Sequence, residues 1–415
     1  MIYYNTITPQ YIEAIRYHYG RYWYKLELLS DNESVVGEII QPVSIDSQGQ
    51  INVNYQQITR RSCSLSLINI DNQYAPNPNS WFWYKRKFKA WVGLQYGDDE
   101  WWFAQGVYIT NSAQGDSHLL NIEAIDKGGL LDGTFKYNLV DTKTVIEKGS
   151  KIGQLIRDTL LLSDGRNIID PVAPLIDREF ENIVTETDIT IDENKYIGDL
   201  FKTLAESYGA DVFYDTNGRL NFTKLCDGDR VDGYRYMGSQ YDFSDEDGVY
   251  LTSTLAYSYD AVNAVTVYTN VTAKKTDDNV AVNNQRYTAY NYNPQSPINV
   301  NAIGIRRMES IEIPFINGLS DEDMLLRCKQ YADYNLIKQS LQQLSVNFNS
   351  VIVPHLDVNK TITITDNAKE LEREIFVVQA ITMPLSASAM TVDATNIIAL
   401  PNDTDIENQG GDLIG

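Results

Sequence analysis

The sequence predicts a mainly β protein with an α+β insertion: two barrel-like β domains and one small α/β module. Short runs that alternate apolar and polar residues with period two, separated by turn residues, fill the first and last thirds of the 415 residues. Between them lie two segments whose apolar residues recur at helical spacing. The 28 tyrosines, accompanied by many Asn, Asp and Thr residues, suit half-exposed strands and polar interfaces.

Residues 1–137 are expected to form the first barrel-like domain. A short helix is predicted around Pro9–Arg16, and turns are predicted at 46–49 and 97–100. Strands are predicted at 24–29, 51–55, 60–68, 87–94, 101–109 and 119–125. The register of 60–68 is ambiguous, because its apolar residues fall on shifting sides. Many short strands at this spacing imply a barrel or a sandwich.

Residues 138–245 are expected to form the inserted α/β module of two helices and a hairpin. Ser150 is expected to cap the first helix, whose apolar stripe is Ile152, Leu155, Ile156 and Leu160. The second helix, about 194–208, ends before Gly209, a typical C-cap residue. A hairpin follows, turning at 215–218, where Asn-Gly supports positive φ angles.

Residues 246–400 are expected to form the second barrel-like domain, which contains a long helix at 320–341. Ser320 is its predicted N-cap, and its predicted buried stripe is Leu325, Cys328, Ala332 and Leu336. A polar arm, 273–300, is either an exposed hairpin or a flexible loop. Strands are predicted at 250–255, 264–268, 344–348, 361–365, 375–378 and 390–393, and an acidic C-terminal tail at 401–415. No internal repeat of fixed period appears, although the alternation of strands and helices suggests that the two β domains are related.

Composition narrows the function. The net charge of −22 argues against nucleic-acid binding, which needs clustered Lys and Arg to neutralise phosphates. The acidic surface either serves solubility or forms a wall that repels a passing polyanion. No stretch of about 18 apolar residues predicts a membrane span, and the N-terminus lacks the pattern of a secretion signal. The three cysteines, Cys63, Cys226 and Cys328, are expected to be reduced and structural, as in a protein folded in a cytoplasm.

The sequence offers few side chains that could form a catalytic triad or bind a metal ion. Only His18, His118 and His355 are available for a triad or a metal site, and no zinc, phosphate-loop or nucleophile-elbow motif occurs. We therefore predict no catalytic, cofactor-binding or metal-binding residue. The loop Tyr241–Gly248 is a solvated acidic turn or an adventitious cation site, because it lacks the distal Glu of an EF-hand. A carboxylate pair for glycoside cleavage stays open, since its separation is three-dimensional.

Two aromatic clusters, 81–83 and 101–103, allow two interpretations. Trp side chains could stack on sugars in a receptor-binding module, whereas packing in a core or a subunit interface is the commoner use. His355 follows Pro354 in a turn, and we expect it to be structural or solvated.

Four segments resemble phage tail and baseplate hub proteins: 60–67, 103–108, 209–222, and the closing unit of a helix followed by strands. The resemblance lies in the order of these segments, and it spans about residues 20 to 397. It implies two similar β-barrel domains per chain and a homotrimeric ring with a pseudo-sixfold face. Unlike some relatives, the sequence shows no peptidase or lysozyme extension.

The resemblance implies a structural, non-enzymatic virion protein that is assembled in the bacterial host cytoplasm. Its expected partners are two further copies of the chain, a tail tube or distal tail protein, a tape measure protein, and a tip spike or fibre. DNA would pass through the ring without specific binding, along a wall lined by part of the acidic excess. The alternatives are a receptor-binding or carbohydrate-binding tail protein and a tail-associated cell-wall hydrolase.

Overall fold

The alternating segments of both β regions join one sheet of 14 strands, seen in a computed structural model. The structure describes residues 1–17, 20–40, 49–55, 57–83, 86–115, 118–135, 144–161, 169–185, 188–191, 193, 195–208, 210–224, 238–257, 262–269, 284–294, 296, 298–305, 308–313, 320–340, 344–386 and 388–396. Outside these lie His18, Cys226, Gly209, most of the predicted 46–49 turn and the 401–415 tail.

The secondary structure of the described residues follows the predicted order. The helices are α1 Pro9–Arg16, α2 Ile152–Leu161, α3 Arg178–Glu181, α4 Ile197–Tyr208, α5 Val300–Ile303 and α6 Asp321–Ser340. The strands are β1 Ile2–Tyr4, β2 Arg21–Leu29, β3 Val35–Ile40, β4 Gln50–Asn54, β5 Arg61–Ile68, β6 Lys87–Tyr96, β7 Asp99–Gly115, β8 Leu119–Asp126, β9 Thr144–Ile146, β10 Leu175–Ile176, β11 Ile189–Ile191, β12 Ala210–Tyr214, β13 Leu220–Lys224, β14 Asp242–Ser244, β15 Tyr250–Tyr257, β16 Ala264–Tyr268, β17 Arg286–Tyr290, β18 Met308–Glu312, β19 Leu344–Ser350, β20 Thr361–Asp366, β21 Leu371–Pro384 and β22 Met390–Asn396.

The large sheet links the N-terminal and C-terminal β regions through one pair of strands. Its order is β15-β19-β22-β21-β4-β5-β8-β7-β6-β2-β3, and β21 pairs with β4 across the junction. One hydrophobic core lies on its inner side and draws on both regions, from Tyr11 to Ala124 and from Tyr241 to Ala394. The predicted class, mainly β with an inserted module, is confirmed. Closed barrels are not seen among the described residues: the sheet has two free ends, β15 and β3.

The sheet contains a repeat of four strands, in agreement with the suggestion that the two β regions are related. The order β15-β19-β22-β21 in the C-terminal half matches the order β4-β5-β8-β7 in the N-terminal half. β7 and β21 are both long, and the first part of each pairs with the strand that precedes it in the chain, β6 or β20. Each also has one register shift against the neighbouring strand of the repeat. The shift lies at Thr110/Ser112 in β7, against β8, and at Val378/Ala380 in β21, against β22. The shared bulge fixes the residue-by-residue equivalence of the two halves, because a bulge sets the register of its strand.

The inserted module has a core of its own. α2, α3 and α4 pack with the β12–β13 hairpin, and their inward residues include Ile156, Phe201 and Phe222. The predicted hairpin turn is present, with Gly218 at φ +75°. The predicted stripe of the first helix is buried at Ile152, Ile156 and Leu160.

α6 packs on a third core, formed with the small sheet β17-β16-β18. Ser320 caps it as predicted, since its Oγ accepts from the Asp323 backbone N–H at 3.1 Å. The predicted stripe is wrong at Leu325, which is 42 % exposed, whereas Met324 is buried. The inward side centres on Cys328 and Ala332, and four residues before Cys328 is position 324. The first part of the polar arm is outside the described residues; its later part includes β17, which pairs with β16 as a hairpin arm.

Candidate functional site

The side of the sheet that faces away from the core is the candidate site, and we call it the polar face. It covers the eight neighbouring strands from β15 to β7. The clearest alternation is in β5, where Cys63, Leu65 and Leu67 point into the core while the serines between them point out. The outward residues that are polar or small are Gln50, Asn52, Asn54, Ser62, Ser64, Ser66, Ser112, Gln114, Asn121, Glu123, Thr252, Thr254, Ala256, Ser345, Asn347, Asn349, Ala380, Thr382, Thr391, Asp393 and Thr395. Ile68 and Leu119, which pair at the end of β5 and β8, are exposed apolar residues on the same side.

Hydrogen bonds run across the strands of the polar face. The Thr391 hydroxyl donates to Asn349 Oδ1 at 2.9 Å, and Asn349 Nδ2 donates to Thr252 Oγ1 at 3.0 Å. Across the junction of the two halves, the Thr382 hydroxyl donates to Asn52 Oδ1 at 3.0 Å. These bonds hold short polar side chains flat against the sheet, which gives a smooth surface of hydroxyl and amide groups.

The charges of the polar face are few where the eight strands lie side by side. Among the outward residues named above, Glu123 and Asp393 are charged and none is Lys or Arg. The exposed residues Glu372, Arg373 and Glu374 lie at the start of β21, where that strand pairs with β20. Glu123 lies opposite Ser112 and Asp393 lies opposite Ala380, the first residue after the bulge in each half. The two carboxylates are therefore equivalent positions of the repeat. Arg61, which neighbours the face in sequence, points inward and binds Asp357 at 2.6 Å.

His355 is a buried structural residue, as one of its two predicted readings has it. Its Nδ1 lies 2.8 Å from the Tyr11 hydroxyl, and its Nε2 lies 2.8 Å from the Gln240 carbonyl. The carbonyl can only accept, so Nε2 carries the proton and Tyr11 donates to Nδ1. Burial lowers the pKa of His355 to about 4, so the ring is neutral and fully engaged. No reactive partner lies on either nitrogen.

The acidic loop Tyr241–Gly248 uses its carboxylates as local hydrogen-bond acceptors. Asp245 accepts from the Asn367 backbone N–H at 2.9 Å, and Asp247 accepts from the Val249 N–H at 3.0 Å. Asp242 accepts from the Thr363 hydroxyl at 2.6 Å. In the part of the chain that the structure describes, no group of three His, Cys, Asp or Glu side chains is placed to hold a metal ion.

The two aromatic clusters differ in exposure. Trp101, Trp102 and Phe103 are buried. Trp81 and Trp83 are 40 % and 39 % exposed on either side of Phe82, which anchors the segment in the core. Packing is therefore the role of the second cluster, and only the first presents aromatic surface to solvent.

A buried ionic seam joins the inserted module to the large sheet. Lys127 is fully buried and donates to Asp170 at 2.7 Å and to the Gly218 carbonyl at 2.8 Å. Its Nζ also lies 2.6 Å from Glu33, which in turn binds Lys87 at 2.6 Å. Removing one member of such a set leaves its partners charged and dry, so the seam fixes how the module docks.

Cys63 and Cys328 are buried free thiols, as predicted. Burial raises the pKa of Cys328 to about 11, which keeps it protonated.

A groove of about 300 Å³ is lined by Tyr22, Leu251 and Ile352, and no carboxylate, His or Cys lines it. No helix within the described residues has the length and apolarity to cross a membrane.

The polar face itself was missed from the sequence, although its signal was present. Ser62, Ser64 and Ser66 alternate with apolar residues, which indicates one polar and one buried side. The two preceding arginines hid the pattern. Both are buried, with Arg60 bound to Asp211 and Arg61 to Asp357.

Comparisons with known proteins place the fold. No protein-family model matches the chain, and no curated protein matches it. Among solved structures, a tail protein of Neisseria meningitidis MC58 superposes with a TM-score of 0.57 at 11 % identity, covering 90 % of this chain and 96 % of that one. The 43 kDa tail protein of prophage MuSo2 from Shewanella oneidensis gives 0.53 at 11 % identity, with 90 % and 98 % covered.

A chain of the Francisella PdpA–VgrG complex also superposes, with a TM-score of 0.53 at 10 % identity. That match covers 92 % of this chain and 59 % of the Francisella chain. These similarities bear out, at the level of fold, the resemblance that the order of the sequence segments indicated. The chain has the fold of phage tail proteins and of a VgrG-complex chain.

Proposed function

We propose that the chain is a structural hub of a phage or phage-like tail, in which three copies form a ring around a DNA channel. The observation that carries the proposal is the repeat of four strands. One chain supplies two similar sheets, so three chains supply six, which matches a sixfold tail tube on one side and a threefold tip on the other. The shared fold with two tail proteins supports the same class.

The polar face is the surface that we assign to the channel wall. DNA is a dense polyanion, and clustered Lys or Arg would hold it by releasing its counterions. A wall of hydroxyl and amide groups with two carboxylates per copy offers no clustered cations to replace the counterions of the phosphates, so DNA would not be held in place. From the charge of the whole chain we expect part of the acidic excess to line this wall. The polar face supports a mostly neutral wall, with Glu123 and Asp393 as its acidic positions.

The partners and location follow from this role. The ring would dock on a tail tube or distal tail protein, contact a tape measure protein, and carry a spike or fibre at its tip. It would be a virion component assembled in the bacterial host cytoplasm, and DNA would pass through it without specific binding. We propose no enzymatic activity, because the histidine and the carboxylates singled out in the sequence are engaged in structural hydrogen bonds.

The test is the mass of the purified full chain over a concentration series. The proposal expects a species of three copies of the 47.1 kDa chain that grows with concentration. A chain that remains monomeric at every soluble concentration would count against the ring.

Zymography on peptidoglycan tests the proposed absence of hydrolytic activity. Clear lysis that disappears when one carboxylate is substituted would favour the hydrolase alternative.

A second candidate function is binding of a surface glycan. Trp81 and Trp83 favour it, because both are partly exposed and aromatic rings stack well on sugars. Glycan-array binding that is lost in Trp81→Ala and Trp83→Ala, with the fold retained, would support this candidate. Binding unaffected by both substitutions would remove it.

A further inference from the structure

The junction between the two halves of the sheet provides a template. β21 and β4 run antiparallel, with Met383 opposite Ile51, Thr382 opposite Asn52 and Ile381 opposite Val53. The amides of β4 alternate in direction: the N–H of Asn54 donates to Arg60, on the side of β5. The backbone N–H groups of residues 51 and 53 therefore point towards β21 and form its hydrogen bonds. Thr382 and Asn52, which lie between these pairs, are a non-hydrogen-bonded pair.

Because of the repeat, β21 and β4 have counterparts elsewhere in the sheet, which are β7 and β15. Through the bulge and the pairing registers, β7 is equivalent to β21, with Gln114 in the place of Thr382. In the same way β15 is equivalent to β4: Ala256 pairs with Ser345 as Asn52 pairs with Ser62. The counterpart of the internal junction would thus be β7 with β15. Within one chain these strands lie at different places in the sheet and do not pair.

Both edges are free in the described part of the chain. β15 pairs with β19 alone, and residues 112–115 of β7 pair with β8 alone. Neither edge carries the charge or the proline that proteins use to block unwanted strand pairing. Gln114 and Ala256 are exposed, and Tyr257 is 62 % exposed. Such edges are templates for another strand.

We propose that β15 of one copy pairs antiparallel with the distal half of β7 of the next copy. Gln114 would lie opposite Ala256, flanked by the hydrogen-bonded pairs Ala113–Tyr257 and Gly115–Leu255. The proposal rests on the proposed ring, and it names the contact that closes it. The interface is head to tail, because β7 and β15 are different surfaces, and such interfaces form rings when the rotation closes.

The inward side chains fit this register. At the internal junction the inward pairs are Ile381–Val53 and Met383–Ile51, both of intermediate size. Between copies the same positions pair small with large: Ala113 with Tyr257, and Gly115 with Leu255. The exposed ring of Tyr257 would cover Ala113 and continue the hydrophobic core across the interface. The polar face would likewise continue from one copy to the next.

Disulfide trapping of the full chain tests the register. In Gln114→Cys/Ala256→Cys, the Cα atoms of a non-hydrogen-bonded pair would be about 4.5 Å apart, within disulfide range. Thr382→Cys/Asn52→Cys is the matched positive control, because those residues already pair within one chain. Ser112→Cys/Ala256→Cys is the shifted control, with the Cα atoms about 7–8 Å apart. All variants are made in a Cys226→Ser background, and the parent is oxidised in parallel.

We expect the test pair to give covalent dimers and trimers under non-reducing electrophoresis, about tenfold more than the shifted pair. A trimer by mass with no covalent link, while the positive control is fully oxidised, would overturn the pairing and leave the ring. Covalent chains longer than three copies would support the pairing and contradict the ring. A monomer that forms no link at any soluble concentration would overturn both.

Discussion

Glu123 and Asp393 occupy equivalent positions in the two halves of the large sheet, 270 residues apart in the chain. Each lies opposite the first residue after the bulge of a long strand, Ser112 in one half and Ala380 in the other. Each points away from the shared core. In a trimer with the polar face inward, the two carboxylates per copy would form one layer of six.

The first prediction concerns the charge of this layer. Glu123→Lys should keep the fold, because the side chain is exposed, and should give the assembled protein an affinity for duplex DNA that falls as salt rises. Fluorescence anisotropy with short duplex DNA over a salt series measures it. Glu13→Lys, the same change on an exposed residue of α1, is the control and should leave DNA unbound. Equal binding by both variants would contradict the assignment of the face.

The second prediction concerns pH. His355 is neutral in the fold, with its pKa lowered to about 4 from an ordinary value near 6.5. Between these values only the unfolded chain takes up the proton, so stability contributed at this site should fall by about 3 kcal/mol as pH drops from 6.5 to 4. Urea unfolding of the parent and of His355→Gln at pH 7 and pH 5 isolates this contribution. An identical pH dependence in both proteins would contradict it.

The third prediction concerns the buried seam. Lys127→Met should cost about 3–5 kcal/mol, because Asp170 is fully buried and would lose its ammonium partner. The double variant Lys127→Met/Asp170→Asn should recover part of the loss, since it removes the uncompensated charge. Equilibrium unfolding of the parent and the two variants gives the comparison. A single variant as stable as the parent would show that the seam is not a structural requirement.

The fourth prediction separates two neighbouring residues of α6. Met324→Ala should cost about 2–5 kcal/mol, because it opens a cavity beside Cys328 in the third core. Leu325→Ala should lower the free energy of unfolding by about 1 kcal/mol or less, because Leu325 is 42 % exposed and lies outside the third core. The two substitutions remove similar apolar groups one position apart. Similar losses in both would mean that the helix is rotated relative to the register described.

The local sequence pattern was enough to predict individual helices and turns, but not to predict how the strands pair. Pro9–Arg16, the α6 cap at Ser320 and the Gly218 turn could be predicted because each depends on neighbours in sequence. The pairing of Asn52 with Thr382 could not, because it joins residues 330 positions apart and its side chains are merely polar. The alternation suggested two related β regions, but the equivalence of their strands could not be predicted, because it is carried by strand order and one bulge rather than by similar residues.

Long-range charge also misled the local reading. Arg60 and Arg61, just before and at the start of β5, are charged residues in buried positions, and each is bound to a distant aspartate, Asp211 or Asp357. Once they are set aside, the inward Cys63 and the outward Ser62 and Ser64 read as an ordinary half-buried strand. The residues of the polar face are mostly neutral and polar, and they form no sequence motif. They become a continuous surface only when eight strands lie side by side in the sheet.

Cryo-electron microscopy of the purified full-length assembly tests the central claim most directly. We predict a closed ring of three copies in which the polar face lines the bore, with Glu123 and Asp393 in one layer and β15 of each copy beside β7 of the next. A ring whose bore is lined by another surface, or particles in which the polar face is covered by protein, would contradict the account.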